Sequence, residues 1–141
     1  MVVLCSGDPF HYGFAAQTCF LLLMSSPISS SANVPLLTPA EADAQLKAGG
    51  AILIDVCEPD EWAETGVAEP AMLLALSDLR GERTMWKPFL ENNRDKTLLL
   101  YCRSGGRSAK AAELLAKEGF KTANAGGFKA WSDAGLPVRK P

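Results

Sequence analysis

Hydrophobic residues beyond position 50 fall into short runs that alternate with polar and glycine-containing segments. Two of these runs, residues 51–56 and residues 97–102, are almost continuously apolar, which is typical of strands buried on both faces of a parallel sheet. Residues 109–118 carry alanine and leucine at helical spacing and end before Gly119. Strands that alternate with helices predict an α/β fold, with a central parallel sheet flanked by helices on both faces.

Shorter signals predict the remaining elements. Thr38, Pro39 and Glu41 have the spacing of a capping box, which predicts a helix that begins there and runs to Lys47. We further predict, in chain order, a short helix over residues 60–64, a strand over 72–76, a helix over 79–92 and a strand over 122–125. A chain of 141 residues is long enough for one such domain with a sizeable core.

Composition and charge exclude several classes of protein. A net charge of -2 and a pI near 5.4 indicate no basic surface for nucleic acid or for an anionic membrane. The four cysteines are far apart and the chain has one histidine, so neither a zinc site nor a thioredoxin-type cysteine pair is supported. We therefore expect no metal, no cofactor, no nucleic-acid partner and no stable membrane insertion.

The N-terminal 36 residues differ from the rest, because they contain no Lys or Arg and one carboxylate, Asp8. Two interpretations are open. Residues 14–24 are mostly apolar and the small residues 30–32 could be a signal-peptide cleavage site, which would make the protein periplasmic or secreted. Alternatively, translation starts at Met24 and leaves a disordered, serine-rich lead on a cytoplasmic protein. The absence of basic residues before the apolar run favours the second interpretation.

Candidate chemistry lies where the second buried strand ends. Cys102 is followed by a short loop with two glycines and then by the predicted helix of residues 109–118. The backbone N–H groups of such a loop and the positive end of the helix dipole favour an anionic sulfur. Arg103 and Arg107 add two permanent cations, so we expect a lowered pKa for the Cys102 thiol. The alternative is a buried cysteine with a purely structural role.

Asp55 lies near the carboxyl end of the first buried strand. In open parallel sheets, ligands bind at the carboxyl ends of the strands. This rule places Asp55 and Cys102 at the same edge of the sheet, and we expect a supporting role for Asp55 there.

Four segments together resemble the single-domain rhodaneses, a family of thiosulfate sulfurtransferases. They are residues 55–62, 102–108, 125–131 and 135–138, and they occur in the family's order. The resemblance covers about residues 37–138, so we expect a lead of residues 1–36 and a rhodanese-like domain of residues 37–141. It implies the α/β architecture predicted above and a persulfide on Cys102 as the covalent intermediate.

The resemblance also assigns roles to the loop. Cys102 is the expected nucleophile, which takes sulfur from a small anionic donor such as thiosulfate and passes it to cyanide or a thiol. The substrate-binding residues implied in this way are Arg103, Ser104, Gly105, Gly106 and Arg107. Ser108 is expected to donate to the sulfur or, more strongly, to cap the following helix. The six residues from Cys102 through Arg107 suit a sulfur atom, whereas the related phosphatases close a seven-residue loop.

The chain departs from the family's pattern in two places. Cys57 stands where the family usually has an arginine that pairs with a glutamate four residues later, so Glu61 must find another partner or face solvent. Val67 stands where the family usually has a histidine. The family topology makes the strands before Cys57 and Cys102 neighbours, so a disulfide between them is considered, although a buried structural thiol is commoner.

Three functions are consistent with these residues. The first is a sulfurtransferase enzyme, and the second is a sulfur-carrier or regulatory module that hands persulfide sulfur to an acceptor protein. The third, a phosphatase or arsenate reductase of the related fold, is disfavoured by the six-residue loop. Turnover of thiosulfate with cyanide separates the first function from the second.

Overall fold

The computed structural model describes residues 33–141. This part of the chain contains six helices: α1 (Pro39–Ala48), α2 (Pro59–Thr65), α3 (Leu76–Arg80), α4 (Trp86–Asn92), α5 (Gly106–Lys117) and α6 (Phe128–Asp133). It also contains six strands: β1 (Ala51–Asp55), β2 (Val67–Ala68), β3 (Met72–Leu73), β4 (Thr97–Cys102), β5 (Lys121–Gly127) and β6 (Val138–Arg139).

Four of the strands form a parallel sheet in the order β3-β1-β4-β5. β1 pairs with β4 from Ala51 opposite Thr97 to Asp55 opposite Tyr101. β5 pairs with the other side of β4. β4 is therefore an inner strand, and the carboxyl ends of β1, β4 and β5 meet at one edge of the sheet.

Helices cover both faces of this sheet, because the inner strands alternate two sets of buried side chains. On one face, α3, α4 and α5 pack against Ile54 and Leu100, and Cys102 belongs to the same cluster. On the other face, α1 and α6 pack against Leu53 and Leu99. The predicted fold class, a central parallel sheet with helices on both faces, is confirmed.

α1 begins and ends as the sequence predicts, to within one residue. The Thr38 N–H donates to the Glu41 carboxylate at 2.8 Å, and the Glu41 N–H donates to the Thr38 hydroxyl at 3.2 Å. These two bonds are the predicted capping box. Gly49 follows the helix with a φ of 87°, in the left-handed region that favours glycine at a helix end.

The single predicted helix over residues 79–92 is wrong, because the structure has two short helices, α3 and α4, in this region. Gly81 ends α3, and the Asp78 carboxylate then accepts hydrogen bonds from the three N–H groups of residues 84–86 at 2.8 to 3.1 Å. These bonds hold the turn before α4 and satisfy the first N–H group of that helix, on Trp86. Pro88 lies in the first turn of α4, where its missing N–H is tolerated.

Other predicted boundaries also move. The strand predicted over residues 72–76 is reduced to β3, because Leu76 already begins α3. The helix predicted over residues 109–118 begins three residues earlier, at Gly106. β2 and β6, which pair antiparallel in a separate small sheet, were not predicted.

Residues just ahead of α1 attach to β5. The Asn124 N–H donates to the Pro35 carbonyl oxygen at 2.8 Å, and the Leu37 N–H donates to the Asn124 carbonyl oxygen at 2.8 Å. The segment on which the signal-peptide and Met24-start interpretations depend, residues 1–32, lies outside the described residues. Within residues 33–141, no helix has the length and apolar character needed to span a membrane.

Candidate active site

The loop after β4 forms a cradle around the sulfur of Cys102. Cys102 is the last residue of β4 and is fully buried. The chain turns at Gly105, whose φ of 93° favours glycine, and the Gly105 N–H donates a hydrogen bond to Cys102 Sγ at 3.0 Å. α5 begins at the next residue, which brings the unpaired N–H groups of a twelve-residue helix to the sulfur.

The surroundings of Cys102 favour its thiolate. Burial by itself raises the pKa of this thiol, but hydrogen bonds from the Ser108 N–H, the Ser108 hydroxyl and the N–H groups of Ser104 and Gly105 oppose it. These bonds outweigh burial and hold the pKa of Cys102 below its usual value. Cys57, a buried thiol just after β1, has a raised pKa, chiefly because of burial. The loop therefore lowers the pKa of Cys102 while that of Cys57 is raised. The main causes of the lowered pKa are hydrogen bonds to the sulfur, rather than the charges of the two arginines on which the sequence-based prediction relied.

Arg107 lies in the first turn of α5, and its guanidinium faces Glu61 on α2. Nη1 and Nη2 donate to the two oxygens of the Glu61 carboxylate at 2.6 and 2.7 Å, which makes a bidentate ion pair. The carboxylate also accepts the Glu58 N–H at 2.9 Å. The hydrogen bonds from Arg107 and from Glu58 lower the pKa of Glu61 to about 2. Of the two alternatives predicted for Glu61, another partner rather than solvent is confirmed.

Arg103 is the loop arginine that faces solvent. Its side chain is 51% exposed, and its nearest carboxylate oxygen, on Glu64, is 3.6 Å away, too far for a hydrogen bond. It lines a shallow depression of about 440 Å³ beside the loop, together with Ser104, Gly127, Lys129, Ala130 and Asp133. The two arginines predicted to bind substrate therefore differ, because one is open to a ligand and the other is held by a carboxylate.

Asp55 and Cys102 meet at the same edge of the sheet, as the strand rule predicts, but on opposite faces. The register partner of Asp55 in β4 is Tyr101, and successive residues of a strand point to opposite faces. The Asp55 carboxylate is buried and accepts the N–H of Cys57 at 2.9 Å. Its contact therefore stabilises the turn that follows β1.

Ser108 does not cap α5, contrary to the sequence-based prediction. It is the third residue of the helix, and Gly105 occupies the cap position, because α5 begins three residues earlier than the residue pattern suggested. The buried Ser108 hydroxyl lies 3.6 Å from Cys102 Sγ and 2.8 Å from Oδ1 of Asn124. Asn124, buried on β5, was missed by the sequence analysis. Its one signal is an amide between two alanines in a predicted strand.

Cys57 and Cys102 are both free thiols, so the disulfide considered from the sequence is not present. Cys57 belongs to the same buried cluster as Cys102, and its Sγ is 3.9 Å from Nη2 of Arg107. Val67, at the second departure from the family's pattern, is buried in β2. Among residues 33–141, no group of three His, Cys, Asp or Glu side chains is arranged to hold a metal ion.

The fold and the site together define a parallel α/β domain with a thiolate-stabilising loop at the end of an inner strand. The family model for the rhodanese-like domain matches residues 38–134. The chain belongs to the rhodanese-like domain family.

Relatives with sulfur-transfer names share this domain. YtwF of Bacillus subtilis (strain 168), provisionally named a sulfurtransferase, is 32% identical over 111 residues, which cover 78% of this chain and 96% of that protein. A Schizosaccharomyces pombe protein, provisionally named a mitochondrial thiosulfate sulfurtransferase, is 35% identical over 94 residues, 58% of this chain and 63% of that protein. This chain thus spans less than two thirds of the S. pombe relative.

A solved structure with a related fold is the polysulfide-sulfur transferase homodimer of Wolinella succinogenes. It superposes with a TM-score of 0.60 at 26% sequence identity, covering 75% of this chain and 78% of that one.

Proposed function

We propose that this protein is a sulfurtransferase that moves a sulfane sulfur atom from thiosulfate or a similar anionic donor to a nucleophilic acceptor, through a persulfide on Cys102. The observation that carries the proposal is the 3.0 Å hydrogen bond from the Gly105 N–H to Cys102 Sγ. It belongs to a loop that lowers the pKa of this thiol, and the thiolate is the nucleophilic form of cysteine. The names of the B. subtilis and S. pombe relatives support the same chemistry.

In the first half-reaction, the Cys102 thiolate attacks the outer sulfur of thiosulfate. A bond forms between Sγ and that sulfur, the S–S bond of the donor breaks, and sulfite leaves with the electron pair. Charge balances, since a thiolate and a dianion give a persulfide anion and a sulfite dianion. The exposed Arg103 is the side chain expected to attract the sulfonate oxygens of the donor.

In the second half-reaction, a nucleophile such as cyanide or a thiolate attacks the outer sulfur of the persulfide. The Sγ–S bond breaks and Cys102 leaves as the thiolate, which restores the starting state. Backbone N–H groups of the loop stabilise the negative charge on the persulfide in the manner of an oxyanion hole. They are those of Ser104, Gly105, Gly106 and Arg107.

The test is cyanolysis of thiosulfate by the full chain, with intact mass recorded before and after the donor is added. Cys57→Ser is the matched control for Cys102→Ser, because Cys57 is also a buried thiol and lies at the end of the neighbouring strand. We expect thiocyanate and the gain of one sulfur atom with the wild type and with Cys57→Ser, and neither with Cys102→Ser. A wild type that gains no sulfur from any donor but hydrolyses an aryl phosphate would place the protein in the phosphatase class instead.

The ion pair between Arg107 and Glu61 favours a second candidate, a carrier or regulatory module whose donor is not thiosulfate. Glu61 neutralises Arg107 and Glu64 lies near Arg103, so the loop presents little net positive charge to a dianion. A donor with one negative charge, such as a small-molecule or protein persulfide, is then preferred. Incubation with thiosulfate or with cysteine persulfide, which carries one net negative charge, separates the candidates, since a sulfur gained only from the persulfide supports the carrier.

We also propose a cytoplasmic location. The basis is the absence of Lys and Arg from residues 1–36, which a secretory signal peptide would carry ahead of its apolar run. Mass spectrometry of the N-terminus from native cells tests this proposal. A mature chain that begins close to residue 33 would indicate export, whereas a chain that begins at Met24 would support the cytoplasm.

A further inference from the structure

A buried amide beside the cradle takes no part in the sulfur chemistry described above. Asn124 on β5 is 8% exposed. Its Nδ2 donates to the Gly105 carbonyl oxygen at 3.1 Å, and its Oδ1 accepts the Gly126 N–H at 3.0 Å. Because one end of the amide meets a backbone acceptor and the other meets a backbone donor, its orientation is determined.

The Ser108 hydroxyl has one proton and three acceptors within reach. The acceptor atoms are Oδ1 of Asn124 at 2.8 Å, the Gly105 carbonyl oxygen at 3.0 Å and Cys102 Sγ at 3.6 Å. A neutral thiol sulfur is a weak acceptor, so the Ser108 hydroxyl donates its hydrogen bond to one of the two oxygens while Cys102 is protonated. A thiolate is a charged acceptor, and hydrogen bonds to charged acceptors are about twice as strong.

We propose that Asn124 is a positioning residue for Cys102: its Oδ1 holds the Ser108 hydroxyl beside the sulfur while the thiol is neutral and releases it to the sulfur when the thiol ionises. After that rotation, Oδ1 of Asn124 still accepts the Gly126 N–H and the Gly105 carbonyl still accepts Nδ2 of Asn124. No buried acceptor loses its last partner, so the rotation does not incur the cost of an unsatisfied group. The inference rests on the proposed function only in taking Cys102 as the reacting group.

Removal of the Asn124 amide changes which acceptor the Ser108 hydroxyl uses. In Asn124→Ala, the Ser108 hydroxyl loses its nearest acceptor, Oδ1 at 2.8 Å, while the Gly105 carbonyl keeps the Ala109 N–H at 3.1 Å. The hydroxyl is then freer to donate to the sulfur, so we expect the pKa of Cys102 to fall. Ser108→Ala removes the hydroxyl itself and should raise the pKa by about one unit, a roughly tenfold smaller thiolate fraction at neutral pH. Because Asn124 acts on the sulfur through that hydroxyl, the double variant should have the pKa of Ser108→Ala.

Other charged or titratable groups around the cradle remain unchanged in these variants. They are Arg103 in the loop, Arg107 on α5, Glu61 on α2, and Cys57 and Asp55 at the end of β1. A pKa change in Cys102 is thus attributable to the Asn124 and Ser108 hydrogen bonds.

The measurement is the rate of alkylation of Cys102 by iodoacetamide as a function of pH, on the full chain without any sulfur donor. Mass spectrometry of the tryptic peptide of residues 97–103 separates this thiol from the other three cysteines. Thr122→Val is the matched control, because Thr122 also lies on β5 and donates to α5, at the Ala112 carbonyl oxygen at 2.9 Å. It should lower stability and leave the pKa of Cys102 unchanged.

Asn124→Asp keeps the size of the side chain, in case Asn124→Ala fails to fold. The carboxylate holds the Ser108 hydroxyl more strongly than the amide does and adds a negative charge, so the pKa of Cys102 should rise above its wild-type value, the opposite of the change in Asn124→Ala. An unchanged pKa in folded Asn124 variants, or additive shifts in the double variant, would overturn the inference. Alkylation needs no sulfur transfer, so these outcomes are independent of whether thiosulfate is turned over.

Discussion

The ion pair between Arg107 and Glu61 joins the first turn of α5, next to the reactive loop, to α2. The substitution Glu61→Gln removes the charge and keeps the size of the side chain. The two short hydrogen bonds of the pair are then replaced by weaker, uncharged contacts. We expect a less stable domain with a guanidinium that is free to turn toward the sulfur donor.

The burial of the two side chains determines how much stability the substitution should cost. Glu61 is 18% exposed and Arg107 is 37% exposed, so the pair lies between a surface ion pair and a buried one. Exposed pairs contribute up to about 1 kcal/mol, and breaking buried pairs costs about 3 to 5 kcal/mol. We therefore expect Glu61→Gln to cost about 2 kcal/mol of unfolding free energy, which lowers Tm by roughly 10 °C in a domain of this size.

The dependence on pH follows from the pKa of Glu61. Its pKa is about 2 in the folded protein against an ordinary value of 4.5. A lowered carboxyl pKa stabilises the fold above the unfolded value, and this stabilisation is lost as pH falls through the folded value. The stability gap between the wild type and Glu61→Gln should thus be full at pH 7 and shrink between about pH 4.5 and pH 2.

Urea unfolding across this pH range measures the gap. Glu118→Gln is the matched control, because Glu118 forms a similar bidentate pair with Arg83 at the far end of α5, with bonds of 2.6 and 2.9 Å. It should reduce stability without changing KM for thiosulfate, whereas Glu61→Gln should lower that KM by releasing Arg107. A gap that stays constant from pH 7 to pH 2 would refute the assignment of the pair to the low pKa of Glu61.

Two further substitutions test the packing around the site. A Cβ on Gly127 would lie 2.6 Å from the Arg103 carbonyl oxygen, so Gly127→Ala should displace the loop and reduce sulfur transfer. The control is Gly50→Ala, which should leave sulfur transfer unchanged because a Cβ there would meet no atom within 4 Å. Leu100 is fully buried in the inner strand β4, so Leu100→Ala should lower the free energy of unfolding, measured in urea, by about 2 to 5 kcal/mol. The control is Leu36→Ala, which should lower it by roughly 0.5 kcal/mol or less because Leu36 is 71% exposed.

Elements with a strong local signal were predictable from the sequence. β1 and β4 are continuous apolar runs, and α1 has a capping box, so each was predicted to within one residue. The break between α3 and α4 was missed, because the apolar residues continue at helical spacing across Gly81 and the turn depends on the Asp78 carboxylate. β2 and β6 are two residues long and exist through pairing with each other across about 70 positions of chain, which a local pattern does not record.

The residues of the site were also predictable where their signal is local and not where it depends on distant partners. Cys102 and its loop are contiguous, so strand, glycines and helix could be recognised together. The partner of Glu61 is 46 positions away, and the partner of Ser108 is 16 positions away. The family's pattern indicated that Glu61 lacked its usual arginine, but the choice of Arg107 depends on how α2 packs beside α5.

The two observations at positions 57 and 107 are best understood as one rearrangement. A small thiol at position 57 leaves Glu61 without a cation from its own segment, and its Sγ lies 3.9 Å from the guanidinium of Arg107. Arg107 thus occupies space beside Cys57 and supplies the missing charge to Glu61. For the proposed reaction, we expect Arg107 to contribute its backbone N–H to the cradle while its charge stays paired with Glu61. Attraction of the donor should then depend mainly on Arg103, the more exposed of the two loop arginines.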